Sequence, residues 1–143
     1  MIRRLEFVHS RDFIHRDIKP DNFVVGLNTS DKTVYLVDFG LSKRYIHPKT
    51  KEHLPYRTEL EFVGTARYVS ANCHLGFGTK TYCRRFLEPS RRDDLISVGH
   101  VLIYFLLGKL PWQGLPGKGS EKTRKIGEIK IATEMSTLCR QLP

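Results

Sequence analysis

The sequence predicts a mainly α-helical fold with one small β-hairpin, and three observations carry that expectation. Residues 94–107 are apolar almost all round, as in a buried helix. Two strand-like runs, Phe23-Val24-Val25 and Val34-Tyr35-Leu36-Val37, flank a cluster of turn-forming residues. At the start, Ile2, Leu5 and Val8 recur at helical spacing with Arg3, Arg4 and Glu6 between them. At 143 residues the chain is about one ordinary domain, long enough to bury a core.

In chain order, residues 1 to about 11 read as the end of an amphipathic helix. No Ser, Thr, Asp or Asn cap precedes Ile2, so the chain is expected to begin inside an element. A polar loop, His15 to Asn22, leads into the hairpin, whose turn falls at Asn28-Thr29-Ser30-Asp31-Lys32. From Leu41 to about Asn72 the chain is expected to be irregular, with Pro48, Pro55 and Gly64. A loop of that length in a compact domain is functional or disordered. Gly108 suits the C-terminal cap of the 94–107 helix, and Pro111 stops any continuation. Leu115 to about Lys125, rich in Gly, Lys and Pro, reads as a loop. Ile126, Ile129, Ile131 and Leu138 then predict one or two short helices.

Lys and Arg number 24 against 15 Asp and Glu, a formal net charge of +9, but the basic residues are scattered. No basic stripe with interleaved aromatics of the kind single-strand binders use is present, and no nucleic-acid partner is expected. Cys73, Cys83 and Cys139 are an odd number without a Cys-x-x-Cys pair, which points away from a disulfide framework or zinc knuckle and toward reduced thiols in an intracellular protein. The stretch Leu95 to Leu107, interrupted by Ser97, Gly99 and His100, falls short of the roughly 20 residues a membrane span needs.

The chemistry gathers at His15-Arg16-Asp17-Ile18-Lys19-Pro20-Asp21-Asn22 and at Asp38-Phe39-Gly40. The hairpin between them would bring Asp17, Asn22 and Asp38 to one edge, the layout of a phosphoryl-transfer site. The set resembles that of the protein kinases. Gly64-Thr65-Ala66-Arg67-Tyr68-Val69-Ser70-Ala71-Asn72 narrows the resemblance. Where most kinases carry Ala-Pro-Glu, this chain has Ser-Ala-Asn, which resembles the Ser-Ile-Asn of the casein kinase I family. Ser90-Arg91-Arg92-Asp93-Asp94-Leu95 and Leu110-Pro111-Trp112-Gln113-Gly114-Leu115 echo the same family. The likeness covers nearly the whole chain, broken at 77–87 and loosely aligned after 115.

The resemblance implies a serine/threonine protein kinase that transfers the γ-phosphoryl group of ATP, with Mg²⁺, to protein substrates. Residues 1–143 would be a partial kinase domain, the large C-terminal lobe with the N-terminal lobe absent. Its parts would be a catalytic loop at 15–22, an activation segment at 38–72, an insert at about 77–87 and a central helix at about 94–107. Asp17 would be the base, Lys19 would balance charge on the transferring group, and Thr65 would hold the substrate hydroxyl near them. Asn22 and Asp38 supply hard oxygen ligands for Mg²⁺ and so bind the nucleotide. Asp94 looks like the residue that braces the catalytic-loop backbone, and the same place suits an ordinary N-terminal helix cap. Arg67, the Gly114 backbone and Lys125 match the family's anion site, which takes acidic or already phosphorylated substrates. His15 is assigned a structural hydrogen-bonding role. A monomer in the cytoplasm or nucleus is expected.

The chain also departs from the family. Thr58-Glu59-Leu60-Glu61-Phe62 is acidic where the family is basic or amide-rich, which would weaken selection of acidic substrates. No Gly-rich phosphate loop, strand lysine or partner Glu precedes residue 15, so the chain by itself is expected to be inactive. The alternative is a truncated, non-catalytic interaction module.

Overall fold

Leu5 and Val8 share one face of the first helix, α1 (Ile2–Ser10), and are buried, whereas Ile2 is largely exposed. In the computed structural model, residues 1–28, 30, 32–55, 62–75, 89–140 and 142 are described. After α1 the chain turns through Asp12, at φ 70°, into strand β1 (Phe13–Ile14). The expected hairpin follows as β2 (Phe23–Val25) and β3 (Val34–Leu36), antiparallel, with Phe23 opposite Leu36 and Val25 opposite Val34.

A second antiparallel pair, not expected, joins β1 to β4 (Lys43–Arg44), with Phe13 opposite Arg44. It lies in the stretch read as irregular. Two-residue strands are too short to show an alternation, so nothing in the sequence marks them. The same segment holds a bridge between Ile46 and His53 and ends in a 3₁₀ turn, Ala71–His74.

The central helix, α2 (Arg91–Leu107), begins three residues before the expected 94. Its start is a capping box: Ser90 is the N-cap, and its N–H donates to the Asp93 carboxylate at 2.7 Å. The expectation of burial all round is also corrected. Val98, Val101 and Ile103 are in the core, but Leu95, Leu102, Phe105 and Leu106 are 43–60% exposed. A helix apolar on every side carries no signal of which face is covered. Gly108 closes it in the left-handed region, φ 70°, its N–H on Tyr104 O at 2.8 Å.

Residues 119–125 are helical, not loop: α3 runs from Gly119 to Ala132, and α4 from Met135 to Cys139. Ion pairs four residues apart, Glu121 with Lys125 and Arg124 with Glu128, support a segment whose glycines disguise it. Leu5, Val98, Val101, Trp112 and Ile126 bring α1, α2, the 110–114 turn and α3 into one core. No described helix is long and apolar enough to cross a membrane. The insert at 77–87, with Cys83, and the acidic residues 58–61 lie outside the described residues.

Candidate active site

Two adjacent carboxylates in the first turn of α2 tie the site together. Asp94, 3% exposed, accepts the backbone N–H of His15 at 2.8 Å and of Arg16 at 2.9 Å, and meets His9 Nε2 of α1 at 2.9 Å. It is not the helix cap, a role that falls to Ser90 and Asp93. Asp93 in turn accepts the Ser70 hydroxyl at 2.6 Å and, at 3.5 Å, the Asn72 side-chain amide. The Ser-Ala-Asn segment is thereby anchored to the helix that holds the 15–16 backbone. Both acids also lie where the helix N-terminus favours negative charge.

With its backbone held, Arg16 adopts φ 69° and turns the chain into Asp17. His15 is fully buried; its Nδ1 accepts the Asp17 N–H at 3.3 Å, and its Nε2–H donates to Val37 O at 3.1 Å. Both ring nitrogens are thus occupied, the neutral Nε2–H form fits, and the ring links the loop to the end of β3. Asp17 is 5% exposed. Lys19 Nζ donates to Asp17 Oδ2 at 2.7 Å and Thr65 Oγ1 donates to Oδ1 at 2.7 Å. Burial alone would push the Asp17 carboxyl up, but hydrogen bonds from Lys19 and Thr65, with the charge of Lys19, outweigh it and hold the group below the usual carboxylate range. Lys19 is held above its ordinary value by its hydrogen bond to Asp17 and by the fields of Asp17, Asp21 and Asp38.

Asn22, also buried, donates its Nδ2 to Asp17 O at 2.8 Å, which leaves Oδ1 as an oxygen ligand. The hairpin register brings Asp38 alongside: Val37 N–H donates to Asn22 O at 3.0 Å. Asp38 is exposed, at φ 60°, with Oδ1 accepting the Gly40 N–H at 3.2 Å. Phe39 packs edge-on against His15, centroids 5.0 Å apart. Among the described residues no group of three His, Cys, Asp or Glu could enclose a metal by itself. Asn22 and Asp38 are instead a partial oxygen set of the kind that suits Mg²⁺ carried by phosphates and water.

Thr65 reaches Asp17 because Gly64 lets two backbones touch. At Gly64, φ 93°, an added Cβ would stand 2.4 Å from Arg16 O. This contact spans nearly fifty residues and needs the absence of a side chain.

A protein kinase domain model matches residues 1–141. The chain belongs to the protein kinase family. That membership supports phosphoryl transfer as the general activity class, and the fold gathers Lys19, Asn22 and Thr65 around Asp17.

The residues expected to form the anion site of this kinase lie on the 65–69 loop, in the 110–114 turn and on α3. Arg67 is exposed and its backbone carbonyl is held by Trp112 Nε1 at 2.7 Å, which puts the Gly114 turn beside the 65–69 loop. Lys125 sits on α3, not in a loop, and its ammonium pairs with Glu121 at 2.7 Å. Among the described residues no hydrogen bond or ion pair joins Arg67, Gly114 and Lys125. Sequence reasoning missed His9, Ser70, Asp93, His100 and Lys130. Of these, only Ser70 and Asp93 stand inside motifs that could have flagged them.

Proposed function

We propose that this chain carries the catalytic residues of a serine/threonine protein kinase of the casein kinase I type. The observation that carries the proposal is Asp17, buried and ionised, with Lys19 on one carboxylate oxygen and Thr65 on the other, each at 2.7 Å. An ionised carboxylate has about four lone-pair sites; Lys19, Thr65 and, at 3.5 Å, Asn22 Nδ2 take three of them, so one on Oδ1 remains for a substrate hydroxyl. In this reading Asp17 orients the Ser or Thr hydroxyl and takes its proton late in the transfer. Lys19, held on Asp17 in the resting site, would share its ammonium with the negative charge of the transferring group, and Thr65 confines the hydroxyl. Asn22 and Asp38 would hold Mg²⁺, whose bound form would neutralise charge on the ATP phosphates.

The Ser-Ala-Asn anchor on Asp93 favours the casein kinase I type, because it gives the departure from Ala-Pro-Glu a physical role. Substrates are proposed to be proteins, with Arg67, the Gly114 N–H and Lys125 reading an acidic or phosphorylated neighbour of the target residue. The enzyme is proposed to act as a monomer in the cytoplasm or nucleus.

The test is Mg²⁺-dependent transfer of labelled phosphate from ATP to casein-like Ser and Tyr peptides, by the chain and by the endogenous protein that carries it. Asp17→Asn should lower transfer to the Ser peptide by about 10²-fold or more. Nucleotide binding without transfer in either sample would favour the interaction module, and transfer to the Tyr peptide would refute the Ser/Thr assignment.

A further inference from the structure

Four consecutive carbonyls follow Thr65, and each is met by a buried side chain from another part of the fold. Lys130 Nζ of α3 donates to Ala66 O at 2.8 Å and also to Val69 O. Between these, Trp112 Nε1–H donates to Arg67 O at 2.7 Å, and His100 Nδ1–H of α2 donates to Tyr68 O at 2.8 Å. The Thr65 carbonyl accepts the N–H groups of Tyr68 at 2.9 Å and Val69 at 3.1 Å. Every carbonyl from Thr65 to Val69 is therefore held.

The three donors are 6%, 2% and 7% exposed and pack as one unit. The Lys130 ammonium lies 4.9 Å from the Trp112 ring centre, and His100 meets the same ring edge-on at 5.0 Å. Among the described residues Lys130 has no carboxylate partner. A buried ammonium held only by two carbonyls and a ring face is expensive to keep, and its donors point at a single loop. That loop closes on the reacting end of the molecule, where Thr65 Oγ1 touches Asp17.

We propose that Lys130, seconded by Trp112 and His100, is a positioning residue that fixes the Thr65–Val69 backbone so that Thr65 reaches Asp17 and Arg67 faces the substrate. This rests on the reading of Asp17 and Thr65 as residues of the transfer site. Lys130 touches no reacting atom and acts through the carbonyls alone. One ammonium offers three N–H donors, enough to span both ends of the loop. Methionine fills nearly the same volume and offers none.

The experiment follows the Asp17 carboxyl by ¹³C NMR titration in the 143-residue chain, so it does not depend on activity. Thr65→Val calibrates it: losing one hydrogen bond to the ionised form should raise the Asp17 midpoint. Lys130→Met should raise it in the same direction and by a comparable shift, with a cooperative urea transition retained. Lys130→Arg, which keeps charge and donors, should restore the midpoint toward that of the unmodified chain. Lys130 is not among the charges that act on Asp17, so a shift would report loop position. If Thr65→Val moves Asp17 and a folded Lys130→Met does not, the positioning proposal is overturned while the site stands. If Thr65→Val moves nothing, the Asp17–Thr65 contact itself is wrong and both fall. Should Lys130→Met fail to fold, Trp112→Phe decides, since it keeps an aromatic ring and removes the N–H to Arg67 O; an unmoved Asp17 there overturns the proposal, and an upward shift supports it.

Discussion

At the scale of single residues, the site depends on where side chains are absent as much as on where they are present. Gly64 has both a positive φ and a backbone oxygen 2.4 Å from where a Cβ would stand. Neither can relax without moving the 15–17 loop or the 65–69 loop. Gly64→Ala should therefore cost about 2–4 kcal/mol of stability and separate Thr65 from Asp17. Urea denaturation, read beside the Asp17 titration, checks both parts, and an unchanged urea midpoint would contradict the close approach. Asp17, Lys19 and Asn22 lie within six residues of one another, so their grouping was legible as a motif. Asp94 was legible only through family resemblance, because 79 residues separate it from the His15 N–H it accepts. His9 and Lys130 gave no signal, since a lone His or Lys among many charged residues looks like solvated surface until its burial is known.

Between elements, the packing of α3 against the Ala71–His74 turn decides where Lys130 comes to rest. Gly127 makes that approach possible: an added Cβ would lie 2.5 Å from His74 Cβ, an atom close to the backbone. Gly99 in α2 has nothing within 4 Å of the same position. Replacing glycine by alanine inside a helix gains about 1 kcal/mol, and overpacking costs about 1–3 kcal/mol. Gly99→Ala should thus raise stability, and Gly127→Ala should lower it despite the better propensity. Denaturant midpoints of the two variants supply the comparison, and equal gains at both sites would refute the close packing of α3. The absence of a sequence signal for the start of α3 has a related cause. Its first half, Gly119 to Lys125, is polar throughout and follows a Gly- and Pro-containing stretch, and its helicity is supported by i, i+4 ion pairs and by docking, neither of which composition displays.

For the whole molecule, the buried basic groups beneath the 65–69 loop set the dependence of stability on pH. Burial, followed by the charge of Lys130, lowers His74 and His100 from 6.5 to about 4. As pH falls below 6.5 the unfolded chain takes up these protons and the folded chain does not. Their contribution is complete above about pH 6.5 and is lost progressively down to about pH 4. Burial also lowers Lys130 from 10.5 to about 7, so the folded chain releases that proton first and stability rises as pH increases above 7. Cys73 works in the opposite direction: burial raises its thiol above the ordinary 9.0, and stability declines once the unfolded thiol ionises. The expected profile climbs from pH 4, continues to climb past neutrality and levels off above about pH 9, where the Cys73 loss offsets the Lys130 gain that runs to about pH 10.5. Urea midpoints across that range test it, and Lys130→Met should remove the rise between about pH 7 and 9. A profile flat above pH 6.5 in the unmodified chain would refute this account.

The sequence by itself determined what is local. The helical spacing of α1, the two strand runs of the hairpin, the end of α2 at Gly108, and the placing of Asp17, Lys19 and Asn22 in one six-residue motif all follow from neighbours close in sequence. Only the tertiary structure decided which face of α2 is covered, where β1 finds β4, that Asp93 and Asp94 divide the two loops between them, and that Lys130 lies under the carbonyls that follow Thr65. The reason is physical. Periodicity and turn chemistry act through the backbone over one or two turns, whereas burial and the pairing of a buried charge are fixed by chain segments far apart in sequence.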